Sequence, residues 1–262
     1  MSLVRATQTL CLLSAVPAVL CADDKWTDCR LRIVIDGQAI PAPEPIPVTV
    51  DKQGCGDFIA DEQLIVDKQS KGIANVVLYV YEGRGGTPLS RKHPSHAKHD
   101  TFSVRIDDCI ISPRVICIAA GDDLVVKPDQ QKIGHNLNIP FFANSPSGPT
   151  TPPLAEQRIS VDLAEPGAVP IQCNIHPWMK AYLVVLEHRY VGVSNRDGVI
   201  TIKNLPVGET LAFRLYHETV RFVGLPIKEN TIDRRSLLTA TIREGINDLG
   251  EIRVPLDAID LD

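Results

Sequence analysis

Short runs rich in valine and isoleucine recur along most of this sequence, and Gly, Pro, Asn or Asp interrupts them about every ten residues. This spacing predicts an all-β sandwich or barrel, because turns at such intervals leave room for strands but not for long helices. No segment keeps an apolar period of 3.6 residues for three turns, so we expect very little helix. The clearest strand candidates are Leu31–Ile35, Leu64–Val66, Asn75–Tyr81, Phe102–Ile106, Val115–Ala119, Asp123–Lys127, Arg158–Leu163 and Ala181–Glu187.

The turn pattern changes after residue 187. Downstream of this point the Asp197-Gly198 turn and the segment 247–250 each separate two apolar runs, as in β-hairpins. The length of 262 residues fits one or two domains at roughly 150 residues each. We therefore predict a β-domain with an N-terminal extension over residues 23–187, followed by a smaller β-sandwich over residues 188–262.

The first 22 residues have the order of a secretory signal peptide. A positive charge at Arg5 precedes an apolar stretch that ends near Leu20, and acidic sequence begins at Asp23. We expect removal of residues 1–22 and a periplasmic or otherwise exported mature protein. The alternatives are a buried N-terminal helix and a lipoprotein anchored through Cys21, although Leu20 is larger than lipidation sites favour. No later apolar segment approaches the ~18 residues of a membrane helix, so we expect no stable membrane insertion.

Charge and motifs exclude several function classes. The sequence has 27 Lys and Arg against 32 Asp and Glu, a net charge of −5, and no long basic run, so no nucleic-acid partner is expected. It contains no G-x-S-x-G turn, phosphate-binding loop or H-E-x-x-H helix. It also lacks the H-x-H pairs that a trinuclear copper cluster needs. We therefore do not expect an enzyme.

Five cysteines remain once residues 1–22 are removed, namely Cys29, Cys55, Cys109, Cys117 and Cys173. An odd number in an oxidising compartment leaves one thiol for an intermolecular bridge, for reactivity or for a metal. Four cysteines permit three pairings, which the sequence does not distinguish. A Cys55–Cys109 disulfide is favoured, because both residues lie at the edges of predicted turns. Burial as a free thiol is an equal alternative for Cys117.

One short segment carries the strongest chemical signal. Residues 173–179 read CNIHPWM, which places Cys173, His176 and Met179 in a C-x2-H-x2-M spacing, and His135 begins another predicted strand. A thiolate, two imidazoles and a thioether are the ligand set of a type 1 copper site. Each residue alone has an ordinary interpretation as a core thiol, a loop histidine or a packing residue. The combination favours copper, because the chain has only two methionines, one of them the initiator, and all four ligand types occur in the expected order.

At these residues the sequence resembles the cupredoxins. In that family the upstream histidine is followed by Asn, as in His135-Asn136, and a short ligand loop with Pro and an aromatic residue, as at Pro177-Trp178, is typical of the amicyanin branch. The wider chain resembles larger exported proteins described as methylamine utilisation protein-like, and its last segment is similar to carboxypeptidase regulatory-like β-sandwiches. The resemblance implies a Greek-key sandwich with one type 1 copper. Such a protein passes single electrons to a redox partner, for example a c-type cytochrome or a dehydrogenase. The resemblance implies no reaction with methylamine.

Each residue has an expected role within this resemblance. The Cys173 thiolate would form the short covalent copper bond, and Met179 would be the weak axial ligand that tunes the potential. The Asn136 side chain would tie the His135 strand to the ligand loop. His176 would lie at an exposed rim where partners dock. The expected metal ligands are His135, Cys173, His176 and Met179.

Two features leave the function open. A small electron carrier needs no second sandwich, so a copper-binding or surface-interaction module without electron transfer is the alternative. His93, His96 and His99 form an H-x2-H-x2-H series in a polar loop. We expect a solvated loop there, and metal binding by these histidines is the alternative.

Overall fold

The structure is a computed structural model that describes residues 25–38, 40, 42–127, 133–145, 147, 150–151, 155–228 and 230–261. The predicted signal peptide, residues 1–22, lies outside this part of the chain. Strands dominate the described residues, and the only α-helix among them is the four-residue α1 (Lys52–Cys55). The prediction of an all-β protein is therefore confirmed. Within the described ranges, no helix has the length and apolar character required to cross a membrane.

The strands are numbered in chain order. They are β1 (Trp26–Ile35), β2 (Ile46–Pro47), β3 (Phe58–Ile59), β4 (Val77–Val80), β5 (Thr101–Asp107), β6 (Ile110–Ser112), β7 (Val115–Ala119), β8 (Asp122–Lys127), β9 (His135–Asn138), β10 (Thr150–Thr151), β11 (Gln157–Val161), β12 (Val169–Cys173), β13 (Lys180–Leu186), β14 (Val191–Val193), β15 (Val199–Pro206), β16 (Thr210–Tyr216), β17 (Pro226–Ile227), β18 (Asn230–Thr231), β19 (Leu237–Thr241) and β20 (Asn247–Val254). Two short 3-10 turns cover Pro94–Ala97 and Leu256–Ala258. Of the strand candidates named above, Leu64–Val66 is not a strand, and only Val66 forms an isolated bridge, to Ile73.

Strands β5 to β13 form two facing sheets, which we call the central sandwich. The five-stranded sheet has the order β10-β9-β12-β13-β7, and the four-stranded sheet has the order β11-β8-β5-β6. The pairs β13–β7 and β5–β8 are parallel, and the other pairs are antiparallel. In β5 the side chains of Val104 and Ile106 enter the core shared by both sheets, whereas Arg105 is exposed. This alternation follows from the two-residue period of a strand.

The remaining long strands form a second sandwich, which we call the terminal sandwich. Its sheets have the orders β15-β1-β20 and β14-β4-β16-β19. β1 pairs antiparallel with β15 and parallel with β20, and β4 lies between β14 and β16. Strands from the predicted N-terminal extension thus complete the predicted second sandwich. The two sandwiches therefore do not divide the chain at residue 187, as the sequence had suggested. Apolar patterning identifies strands but not their partners, so pairing between distant segments leaves no local signal.

Residues 46–59, which we call the cover segment, pack against the central sandwich. Its two short strands β2 and β3 pair with each other, and α1 lies between them. Val48, Cys55 and Ile59 belong to the central core. A disulfide joins Cys55 to Cys109 in the β5–β6 turn, as favoured from the sequence. In the described part of the chain, the free thiols are Cys29, Cys117 and Cys173.

The two sandwiches meet beside the start of β13. The Arg114 guanidinium donates two hydrogen bonds of 2.7 Å to the Glu218 carboxylate and a third of 3.0 Å to the carbonyl oxygen of Lys180. Val77 and Tyr79 of the terminal sandwich share an apolar cluster with residues of β7 and β13. Because Lys180 directly follows the predicted ligand loop, this interface lies next to the candidate site.

Candidate metal centre

Two adjacent strands position the predicted ligands. β9 begins at His135 and β12 ends at Cys173, and the two strands are paired, with Leu137 opposite Cys173. The chain then turns back into β13. Within this turn the amide of Cys173 donates to the carbonyl of Met179 at 3.1 Å, and the amide of Met179 donates to the carbonyl of His176 at 3.0 Å. These bonds close a tight loop, and its Cys173 and His176 side chains lie close to His135 of β9.

The structure brings three of the predicted ligands together. One ligand atom from each of His135, Cys173 and His176 lies within 4.8 Å of the others. The Cys173 Sγ atom is 3.5 Å from Nδ1 of His176, and the two imidazole centroids are 5.0 Å apart. All three side chains are buried. A thiol and two imidazoles therefore converge on one dry position.

The surroundings of the His135 ring show whether the predicted ligands suit a metal. Its ring is 0% exposed, and neither ring nitrogen has a hydrogen-bond partner among the described residues. Burial, together with the neighbouring His176 ring, lowers the pKa of His135 to about 4, so the imidazole is neutral near pH 7 and able to bind a metal. A buried polar group without a partner costs about 1–3 kcal/mol. A bound metal would give one of the two His135 ring nitrogens a partner, so the residues fit a metal site.

Met179 lies at the end of the same loop. Its side chain is 1% exposed and belongs to the buried core that also contains Cys173 and Leu137. A thioether in this position is a donor that a soft metal accepts. Met179 is thus buried in the same loop as Cys173 and His176.

Asn136 links the two elements of the site. The backbone amide of Asn174 donates to the carbonyl of Asn136 at 2.9 Å, and the Asn174 side-chain amide donates to the side-chain oxygen of Asn136. Asn136 thus ties the His135 strand to the residue that follows Cys173.

The structure corrects the expected exposure of His176. Its side chain is 0% exposed rather than at an open rim, and its Nε2 atom lies 3.0 Å from Oδ2 of Asp51 in the cover segment. Ile139 and Phe141 are also buried, whereas Phe142 is 85% exposed. The cover segment, which no ligand motif predicts, closes over the loop.

Sequence analysis did not identify Asp51. Its separation from His176 is 125 residues, and a lone aspartate before a Gly-Cys-Gly turn resembles an ordinary surface acid. The preferred Cys55–Cys109 disulfide was the available hint, because it attaches this stretch to the central sandwich. The disulfide did not indicate which side chain would point at the site.

The three loop histidines do not meet at one point. His93 packs edge-on against Trp26 at 5.0 Å, and His96 packs against Tyr190 at 4.2 Å. The imidazole of His99 lies near Gly121. Among the described residues, the group of His135, Cys173 and His176 is the one whose ligand atoms converge.

No protein-family model matches the chain, and no curated protein matches it significantly. Copper proteins are among the solved structures with partial similarity. A copper-containing nitrite reductase from Thermus scotoductus SA-01 is 21% identical over 33% of this chain and 22% of its own, with a TM-score of 0.30. A reduced Cu(I) amicyanin variant is 19% identical over 32% of this chain and 81% of its own, with a TM-score of 0.29. Another reduced amicyanin variant is 16% identical over 38% of this chain and 95% of its own, with a TM-score of 0.29.

Proposed function

We propose that this protein is an exported type 1 copper protein that carries single electrons between redox partners. The observation that supports this most directly is His135, a fully buried imidazole that stands beside Cys173 and His176 and has no hydrogen-bond partner among the described residues. Burial of such a group is costly unless it binds something. A thiolate, two imidazoles and a thioether form the donor set that suits copper.

The chain would hold the metal in a rigid and dry frame. The proposed ligands are the Cys173 thiolate, the imidazoles of His135 and His176, and the Met179 thioether. When bound there, copper supplies one-electron chemistry by cycling between Cu(II) and Cu(I). β9 and β12 fix His135 and Cys173 within one sheet, and the backbone bonds of the loop fix the other two residues. Burial keeps water and competing ligands away from these donors.

The proposal includes a location and a kind of partner. The location is periplasmic or otherwise exported, and the partner is a redox protein such as a c-type cytochrome or a dehydrogenase. We propose no catalytic role, no nucleic-acid partner and no stable membrane insertion. The Cys55–Cys109 disulfide supports an exported location, because such bonds persist mainly in oxidising compartments. The order of charges and apolar residues in the segment 1–22 supports it too.

Copper loading tests the site. One equivalent of Cu(II) is added to residues 23–262, and visible absorption and electron paramagnetic resonance are recorded together. We expect an intense thiolate-to-copper charge-transfer band with narrow copper hyperfine splitting. Cys173→Ser should lose both signals, while Cys117→Ser, which removes a free thiol in β7 of the same sandwich, should keep them. A colourless unmodified protein, or a band that persists in Cys173→Ser, would contradict the proposal.

A copper-binding or surface-interaction module is the second candidate, and the burial of His176 favours it. A carrier whose ligand is exposed can pass electrons through that ligand to a docked partner, whereas here Asp51 lies against His176. Stopped-flow mixing of the copper protein with c-type cytochromes and dehydrogenases separates the two candidates. Rapid electron exchange supports the carrier, and no exchange across these partners supports the module.

A further inference from the structure

The two ring nitrogens of His176 face different groups. Nδ1 lies 3.5 Å from the Cys173 sulfur, and Nε2 lies 3.0 Å from the Asp51 carboxylate. An ionised carboxylate only accepts hydrogen bonds, so Nε2 carries the proton and donates it. With the proton on Nε2, the lone pair of the ring is on Nδ1, on the side of Cys173 and His135. The contact with Asp51 therefore selects the tautomer that a metal at this position requires.

The backbone of the cover segment holds Asp51 in place. Asp51 has φ 52° and ψ 36°, the left-handed conformation, and its carbonyl accepts hydrogen bonds of 2.9 Å from the amides of Gly54 and Cys55. The base of the loop is closed by a bond of 2.9 Å from the amide of Val48 to the carbonyl of Asp57. The disulfide from Cys55 attaches the same turn to the central sandwich. The carboxylate is thus presented by an anchored loop rather than by a free tip.

We propose that Asp51 is a positioning residue for the copper site, which acts through His176. The inference rests on the proposed function and adds a group from outside the ligand loop. A carboxylate on the outer nitrogen of a ligating imidazole fixes the ring and makes it a stronger donor. Stronger donation favours Cu(II) over Cu(I), so Asp51 lowers the reduction potential. The same contact keeps His176 in place and slows the loss of the metal.

Asp51→Asn is the discriminating variant. Asn keeps the size of the side chain and tolerates the left-handed backbone at this position, so the loop should be preserved. We expect a higher reduction potential, a shifted charge-transfer band and about 10–100-fold weaker copper retention against a chelator. Asp51→Ala should show the same changes. Asp51→Glu keeps a carboxylate, so it should hold copper more tightly than Asp51→Asn or Asp51→Ala but less tightly than the unmodified protein. The matched control is Asp57→Asn in the same loop, because Asp57 is 79% exposed and pairs only distantly with Lys52, at 4.0 Å; it should change none of these values.

The metal-free protein gives a second readout that does not depend on copper. Long-range proton–nitrogen NMR of His176 should show the proton on Nε2 in the unmodified chain and a mixture of tautomers in Asp51→Ala. A proton on Nδ1 in the unmodified chain would overturn the inference. So would a blue unmodified protein whose potential and copper retention are unchanged in Asp51→Asn. A colourless unmodified protein would instead refute the copper function, and the tautomer measurement would still decide whether Asp51 orients His176.

Discussion

At the scale of single residues, the candidate site depends on groups that are poorly satisfied or unusually placed without a metal. His135 is buried and has no hydrogen-bond partner in the described part of the chain. His176 has a partner on each ring nitrogen. Buried His135 therefore destabilises the metal-free protein. His176, in contrast, is already held in the orientation that the proposed site requires.

This difference predicts how His135 affects the free energy of unfolding with and without a bound metal. In the metal-free protein, His135→Leu should leave the free energy of unfolding unchanged or increased, because it removes an unpaired buried polar group at similar volume. Zn(II) at a free concentration 100 times its Kd should stabilise the unmodified protein by about 2.7 kcal/mol. The same Zn(II) should leave His135→Leu unchanged. Chemical denaturation with and without Zn(II) measures both effects, and a destabilised metal-free His135→Leu would show that the imidazole has a structural role instead.

Three of the four candidate ligands could be grouped from the sequence because they are near one another. Cys173, His176 and Met179 lie on one loop, so their spacing alone restricts how far apart they can be, and His135 was added because its residue type completes the donor set. Asp51 could not be predicted in this way. Its contact with His176 depends on a tertiary fold that brings distant segments together.

At the scale of elements, the cover segment determines how much of the candidate site is exposed to solvent. Its own secondary structure is slight, two two-residue strands and one turn of helix. Short elements of this kind have few ladder bonds of their own, so the segment depends on Cys55–Cys109 and on its buried apolar residues. The prediction that His176 is exposed was therefore wrong, because the segment that buries it has no strong strand or helix pattern in its sequence.

Removal of the disulfide should loosen the cover. Changing Cys55 and Cys109 together to Ser opens a loop with a sequence separation of 54, which should cost about 2–5 kcal/mol of stability. We also expect faster loss of copper, because Asp51 is no longer held at His176. Urea denaturation and chelator competition measure these effects, with Cys117→Ser as the control for a free thiol. An unchanged denaturation midpoint would mean that packing alone holds the segment.

At the scale of the whole molecule, the two sandwiches do not follow the chain in order. The central sandwich uses strands β5 to β13, which are contiguous, whereas the terminal sandwich combines β1 and β4 with strands from beyond residue 187. The sequence predicted two β-sandwiches and most of their strands. It did not predict this exchange, because strand pairing depends on the three-dimensional packing of faces that look alike in sequence.

This arrangement predicts that residues 23–187 do not behave as a separate domain. In that fragment β1 loses both neighbours, and Leu31, Ile33 and Ile35 lose the core that buries them. Each such side chain forfeits about 1.5–3 kcal/mol, and the unpaired edges favour aggregation. Size-exclusion chromatography and thermal unfolding should show an aggregated or partly unfolded fragment, with residues 23–262 as the control. A fragment that is as monomeric and as thermally stable as residues 23–262 would contradict the observed pairing of β1.

The central position of β1 also sets an order of events during synthesis. β1 is made among the first described residues, but its neighbours β15 and β20 are made among the last. The terminal sandwich therefore closes only after nearly the whole chain has been produced, and until then β1 must remain without its neighbours. All strands of the central sandwich, and the cover segment with Asp51, are complete by Leu186. The candidate metal centre can thus assemble while the terminal sandwich still waits for its last strand.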